Sequence, residues 1–152
     1  QPQLALSELS KLRGQALPDG LPEWDIPAIR GTIEAVRDAV RAGDLSSATD
    51  VAEGGVITAV AESAVSGGHG AELTITGTQA DAWTTLFGEA PGLFLVSADA
   101  DALARLAQQT KVTVVGKVGG DRLHATAGDL TIDEPLDALH AAWSGGLAPY
   151  FP

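Results

Sequence analysis

From Asp25 onward the spacing of apolar residues alternates between a helical and a strand period, and this alternation limits the possible folds more than any other feature. Asp25 reads as an N-cap with Pro27 in the first turn. Ile29, Ile33, Val36 and Val40 then follow at i, i+4, i+7 and i+11, the buried stripe of a helix of about 16 residues closed by Gly43. Val56, Ile57, Val60, Ala61, Ala64 and Val65 form a second apolar face, ended by Gly67-Gly68. Ala71–Thr76 alternates with period two, as a half-buried strand does, and Ala80–Phe87 suits a short helix. Leu93–Val96 is an apolar run of strand length, and Asp99–Gln109 is helical with Leu103 and Leu106 inward. Val112–Val118 and Arg122–Ala127 read as two strands joined by a turn at Gly119-Gly120-Asp121, a hairpin. Asp133 or Glu134 opens a last helix, with Pro135 at its start and Leu136, Leu139 and Trp143 on one side.

Helices that cross between strands, together with one hairpin, predict an α+β or mixed α/β fold: one sheet of four to six strands with helices packed on its face or faces. With 152 residues the chain has the size of one ordinary domain. Residues 1–25 are set apart. They hold one short helical turn around Leu6–Leu12 and a Pro/Gly-rich stretch from Leu17 to Pro22, and read as a linker-like segment from a preceding domain. The domain itself is expected over residues 26–152.

Charge narrows the function. The net charge of −11 argues against nucleic acid and against an anionic membrane as partners. Between residues 45 and 110 Arg105 is the single cation, among Asp50, Glu53, Glu62, Glu72, Asp81, Glu89, Asp99 and Asp101. A phosphate site concentrates cations or backbone amides, so this segment is a poor nucleotide site by itself. Cysteine is absent, which excludes a disulfide framework and thiolate metal sites. No stretch approaches the roughly 18 apolar residues of a membrane span, and no signal peptide is visible, so a cytoplasmic location is expected.

The chemistry concentrates at Ala48–Val56, where a short strand ends on Asp50 and Glu53 and Gly54-Gly55 precede a helix. Two carboxylates at i and i+3 across such a turn can share a Mg²⁺, orient a ribose, or cap the helix. Gly54-Gly55 can approach a phosphate, or simply let the helix lie close to a neighbouring strand. Glu89, between Gly88 and Ala90 in a loop of small residues, is a third candidate: it faces a ligand or another domain, or, as spacing alone favours, it is a solvated residue of a plain loop. His69, His124 and His140 match no metal or triad spacing and read as bystanders. Gly116–Arg122 is a β-turn with flanking charges and lacks the Gly-Lys-Ser/Thr ending of a phosphate loop.

In this order, Thr49-Asp50-Val51-Ala52-Glu53-Gly54-Gly55-Val56, Phe87-Gly88-Glu89-Ala90 and Val115–Leu123 resemble the C-terminal domain of the aminoimidazole ribonucleotide synthetase superfamily. The likeness is strongest to the phosphoribosylformylglycinamidine synthase family, whose pattern runs His-Asp-Val-Ser-Glu-Gly-Gly-Leu, Phe-Ser-Glu-Ser, then Ile-Gly-x-Val-x-Gly-Asp-Arg-Leu. The chain departs from it at Thr49 and Ala52, at Gly88 and Ala90, and at Leu93, where many relatives carry Arg. Each change removes a hydrogen-bonding group from the face that would look at substrate.

The resemblance implies a ligase of purine biosynthesis in the full-length protein. ATP would phosphorylate the formamide oxygen of formylglycinamide ribonucleotide, and ammonia from glutamine would displace the phosphate. It implies that ATP and magnesium are held chiefly by an N-terminal superfamily domain of the same or a partner chain, and that a glutaminase component assembles with it. The domain seen here would wall the cleft with Asp50, Glu53, Gly54, Gly55 and Glu89, or be structural, with no catalytic residue of its own, no cofactor as a fragment and no activity alone. Closure of the chain after Trp143, at Pro152, is expected of the second, C-terminal copy of the domain. The alternatives are a purely structural, subunit-docking module, or another superfamily member: aminoimidazole ribonucleotide synthetase itself or a thiamine-phosphate, selenophosphate or hydrogenase-maturation relative.

Overall fold

A computed structural model describes residues 2–20, 22–76, 81–146 and 150. Leu21, Ala80 and Pro152 therefore lie outside the described residues. The N-terminal segment contains α1 (Glu8–Leu12), one turn capped by the Ser7 hydroxyl. The first long helix, α2 (Ile26–Ala42), begins and ends where its signals place it. Asp25 Oδ1 accepts the Ala28 N–H at 3.0 Å, and Gly43 (φ 74°) closes the end by donating to Ala39 and Val40 carbonyls.

Its buried face differs from the expected stripe. Ala35, Val36 and Ala39 are buried, whereas Ile33 and Val40 are 45% and 51% exposed. The cause is what lies opposite. The helix packs on α5 (Ala100–Leu106) through Leu106, with Leu45, Val96 and Val112 around it, and the small alanine side chains admit that close approach better than Ile33 would.

Two strand systems flank α3 (Gly55–Gly67). In one, β1 (Ser47–Asp50) and β3 (Phe94–Ser97) form an antiparallel ladder with Asp50 opposite Phe94. The other is a four-stranded sheet in the order β4 (Gly116–Val118), β2 (Ala71–Ile75), β5 (Arg122–Ala127), β6 (Leu130–Pro135). A four-stranded sheet with helices is the expected architecture, and β1 and β3 stand beside it instead of extending it. Ala71, Leu73, Leu123, Ala125 and Ala127 point from the sheet into the core, where they meet Ile57 and Val60 of α3 and Leu86 of α4 (Ala82–Phe87).

The expected hairpin between Val112–Val118 and Arg122–Ala127 does not form. The two strands lie on opposite sides of β2, β4 antiparallel to it and β5 parallel. The start of β2 separates them. Gly70 exchanges hydrogen bonds with the turn, its N–H to the Gly120 carbonyl (2.9 Å) and its carbonyl to the Gly119 N–H (2.8 Å), and a Cβ on Gly70 would strike the Arg122 backbone. Pairing of β4 is short, Gly116–Val118 against Ala71–Leu73, although β2 runs on to Ile75. Val112 turns instead to the α2–α5 cluster.

The hairpin lies one strand later, where β5 and β6 pair across Gly128-Asp129 with Ala127 opposite Leu130. Asp133 and Glu134 therefore belong to β6, and the last helix, α6 (Leu136–Gly145), starts after Pro135, whose missing N–H suits that N-cap position. Leu136 and Leu139 are half-buried, but Trp143, expected inward, is 65% exposed.

Candidate functional site

The acidic turn sits where the β1–β3 ladder hands the chain to α3. Val51 is buried and its N–H bonds the Leu93 carbonyl at 2.9 Å, which fixes the end of β1 and leaves Asp50 exposed beside it. The chain then reverses through Ala52–Gly54, with Gly54 and Gly55 at φ 80° and 71°. A Cβ on Gly55 would come within 2.7 Å of the Leu86 carbonyl oxygen and the Phe87 carbonyl carbon. The pair therefore does admit a close approach, though to the end of α4 and not to a strand.

Neither Asp50 nor Glu53 makes a hydrogen bond to the start of α3 among the described residues. The cap comes from elsewhere. Glu89 Oε1 accepts the Gly54 N–H at 2.8 Å and also the Glu8 N–H at 2.8 Å. This role was invisible to local spacing, because the partners stand 35 and 81 residues from Glu89.

Asp50, Glu53 and Glu89 nevertheless converge on one open groove of about 480 Å³. Leu6, Trp24, Ile33, Pro91, Leu93 and Phe94 supply its apolar wall, and none of its lining residues is a cation. Gly54 and Gly55 shape the turn at its edge. Lys11 lies near: its ammonium pKa is raised first by a hydrogen bond to the Glu8 carboxylate, with smaller contributions from Glu89 and Glu53. Sequence reasoning missed the walls from Leu6, Trp24 and Ile33, which belong to the presumed linker and to the outer face of α2.

The histidines lie outside the groove. His69 is exposed beyond α3, His140 is exposed on α6 with its ring 6.4 Å from that of Trp143, and His124 Nδ1 is 3.7 Å from Asp133 on the polar sheet face. That face also holds Glu72–Lys117 (2.9 Å) and Arg122–Asp133 (2.6 Å). Hydrogen bonds from Lys117 and Arg122 lower the pKa of Glu72 and Asp133. Among the described residues no group of three His, Asp or Glu side chains is placed to hold a metal ion.

Residues 4–128 match the family described as AIR synthase related protein, C-terminal domain. The chain belongs to this family. Among sequence relatives, the phosphoribosylformylglycinamidine synthase subunit PurL of Lactobacillus delbrueckii subsp. bulgaricus is 33% identical over 143 residues, covering 93% of this chain and 19% of the relative. The PurL of Nocardioides sp. is 36% identical over 128 residues (81% and 16%), and that of Anaeromyxobacter sp. 38% over 145 residues (83% and 18%). The AIR synthase-related domain thus spans about a fifth of the length of these relatives. Solved structures share its fold. PurLQS from Thermotoga maritima gives a TM-score of 0.67 at 22% identity, covering 80% of this chain and 23% of that one. T. maritima PurL complexed with FGAR gives 0.66 at 21% (77% and 21%). The resemblance drawn from the three motifs is correct at the level of the family and of its PurL relatives.

Proposed function

We propose that this chain is the AIR synthase-related C-terminal domain of a phosphoribosylformylglycinamidine synthase and that it walls the substrate cleft instead of performing chemistry. The observation that carries this reading is the convergence of Asp50, Glu53 and Glu89 on a single groove with no cation in its lining. Such a set of carboxylates can accept hydrogen bonds from hydroxyl and amide groups, but it repels phosphate.

The groove does not fit ATP or its magnesium. Phosphate-binding cations are lacking from the lining, and no described cluster holds a metal. ATP and magnesium belong, in this proposal, to an N-terminal superfamily domain of the same or a partner chain, which together with a glutaminase component completes the ATP- and glutamine-dependent amidation of formylglycinamide ribonucleotide. The PurL and PurLQS relatives support this reading. Residues 1–25 are then the segment leading from the preceding domain, and 26–152 the domain proper. The cytoplasm is the proposed location. No helix among the described residues is long and apolar enough to cross a membrane.

A docking role alongside the wall is favoured by Ile26, Ile33 and Val40, which project from α2 at seven-residue intervals and stay exposed. Such a stripe suits packing against the remainder of a larger protein.

The full-length protein, supplied with ATP, magnesium, glutamine and formylglycinamide ribonucleotide, is expected to form the amidine. Absence of turnover with the complete assembly would overturn the proposal. Isothermal titration of the folded isolated chain should show no tight, magnesium-dependent ATP binding, and tight binding would contradict the assignment of ATP to another domain.

A further inference from the structure

Glu89 stands between two segments that are distant in sequence. Its Oε1 accepts one N–H at the opening of α1 (Glu8) and one at the turn before α3 (Gly54), each at 2.8 Å. Its backbone forms an antiparallel bridge with Gln3, through Gln3 N–H to Glu89 carbonyl (2.9 Å) and Glu89 N–H to Gln3 carbonyl (3.2 Å). Hydrogen bonds of amides to an ionised carboxylate are about twice as strong as neutral ones, and this one is half-buried.

The N-terminal segment behaves as a unit. The buried Ser7 and Ser10 hydroxyls both donate to the Leu4 carbonyl, at 2.7 and 2.6 Å. At its far end the Arg13 guanidinium lies 4.2 Å over the Trp83 ring, which stacks on Phe87. Leu6 of the same segment lines the groove with Asp50 and Glu53.

We infer that Glu89 is a positioning residue that couples the seating of residues 3–13 to the geometry of the Asp50–Gly55 turn. One carboxylate oxygen serves both amides, so a movement of the N-terminal segment pulls on the acceptor that holds the turn. The segment thereby transmits to the groove how the chain upstream of it is held. This goes beyond the proposed function, since the coupling is the same whatever occupies the groove.

Hydrogen exchange of the full-length protein, read on peptides covering 3–13, 50–57 and, as a folding control, 122–127, tests the coupling. Glu89→Ala should raise exchange about tenfold in the first two peptides and leave the control unchanged. Glu89→Gln, which keeps a carbonyl acceptor, should restore most of the protection. Arg13→Ala removes a contact on α4 and none on the turn, and should still speed exchange at 50–57 roughly threefold. In the Glu89→Ala background it should add nothing there. Unchanged exchange at 50–57 in Arg13→Ala would overturn the proposal, as would an Arg13→Ala effect on the turn that persists in full in the Glu89→Ala background, where the shared acceptor is gone. Should Glu89→Ala expose the control peptide as well, Glu89→Gln takes its place in the same comparison, with an Arg13→Ala effect undiminished from wild type as the expected result and its absence as the contradicting one.

Discussion

At the scale of single residues, neither glycine of the acidic turn has room for a side chain. Both have positive φ, which a residue with a Cβ adopts at a cost of about 1–2 kcal/mol. At Gly54 the added methyl meets Thr58, its Oγ1 and, at 2.8 Å, its Cβ, a β-branched side chain with little freedom to yield, whereas at Gly55 it meets the backbone of Leu86 and Phe87. Overpacking of either kind adds about 1–3 kcal/mol. Chemical denaturation should therefore show Gly54→Ala and Gly55→Ala each losing at least about 2 kcal/mol of stability; a loss well under about 1 kcal/mol at either position would contradict this packing. The turn itself was legible in the sequence, because glycine pairs after an acidic strand end announce a reversal. Its cap was not. Glu89 reaches Gly54 through the tertiary fold, and nothing in the spacing of Asp50 and Glu53 tells that a third carboxylate takes the amide.

At the scale of elements, α2 shows why helical extent is easier to read than the helical face. Capping by Asp25 and Gly43 is local and set the ends correctly. Which side is buried depends on α5 and on Val112, which the periodicity of α2 alone does not encode. Val36→Ala should cost about 1–2 kcal/mol, while Val40→Ala should stay within about 0.5 kcal/mol, measured by thermal or denaturant unfolding. A larger loss at Val40 would show that its face is covered.

The β4–β2–β5 order illustrates the same limit. A two-glycine turn between strand-like runs signals a hairpin, but the intervening place is taken by β2, which arrives from some 40 residues earlier in the chain. The polar face of this sheet makes stability depend on acid. Arg122 and Lys117 hold Asp133 and Glu72 below their ordinary values of 3.8 and 4.5. A carboxylate more acidic in the folded than in the unfolded state adds stability above its unfolded pKa and loses it as pH falls through the folded one. Melting between about pH 5 and pH 2 should therefore show an acid loss that shrinks in Arg122→Gln and Lys117→Gln and with added salt. An identical acid limb in the variants would contradict the pairing. These pairs are exposed, so the effect is small.

At the scale of the whole molecule, the chain spans about a fifth of its PurL relatives and presents a groove with acidic and apolar walls beside an uncovered apolar stripe on α2. Family membership was legible because three motifs in fixed order carry it. The groove was legible only in part: its acidic members stand in motifs, but Leu6, Trp24 and Ile33 reach it from segments whose patterns describe a linker and a helix face. The charge distribution of residues 45–110 leads one to expect a groove without a cation in its lining, and none lines it, although Lys11 of the N-terminal segment lies near. The decisive measurement is steady-state kinetics of the full-length assembly carrying Asp50→Asn and Glu53→Gln. If the domain walls the cleft, KM for formylglycinamide ribonucleotide should rise about tenfold with the assembly intact, whereas unchanged kinetics and unchanged assembly would show that the acidic turn faces no substrate.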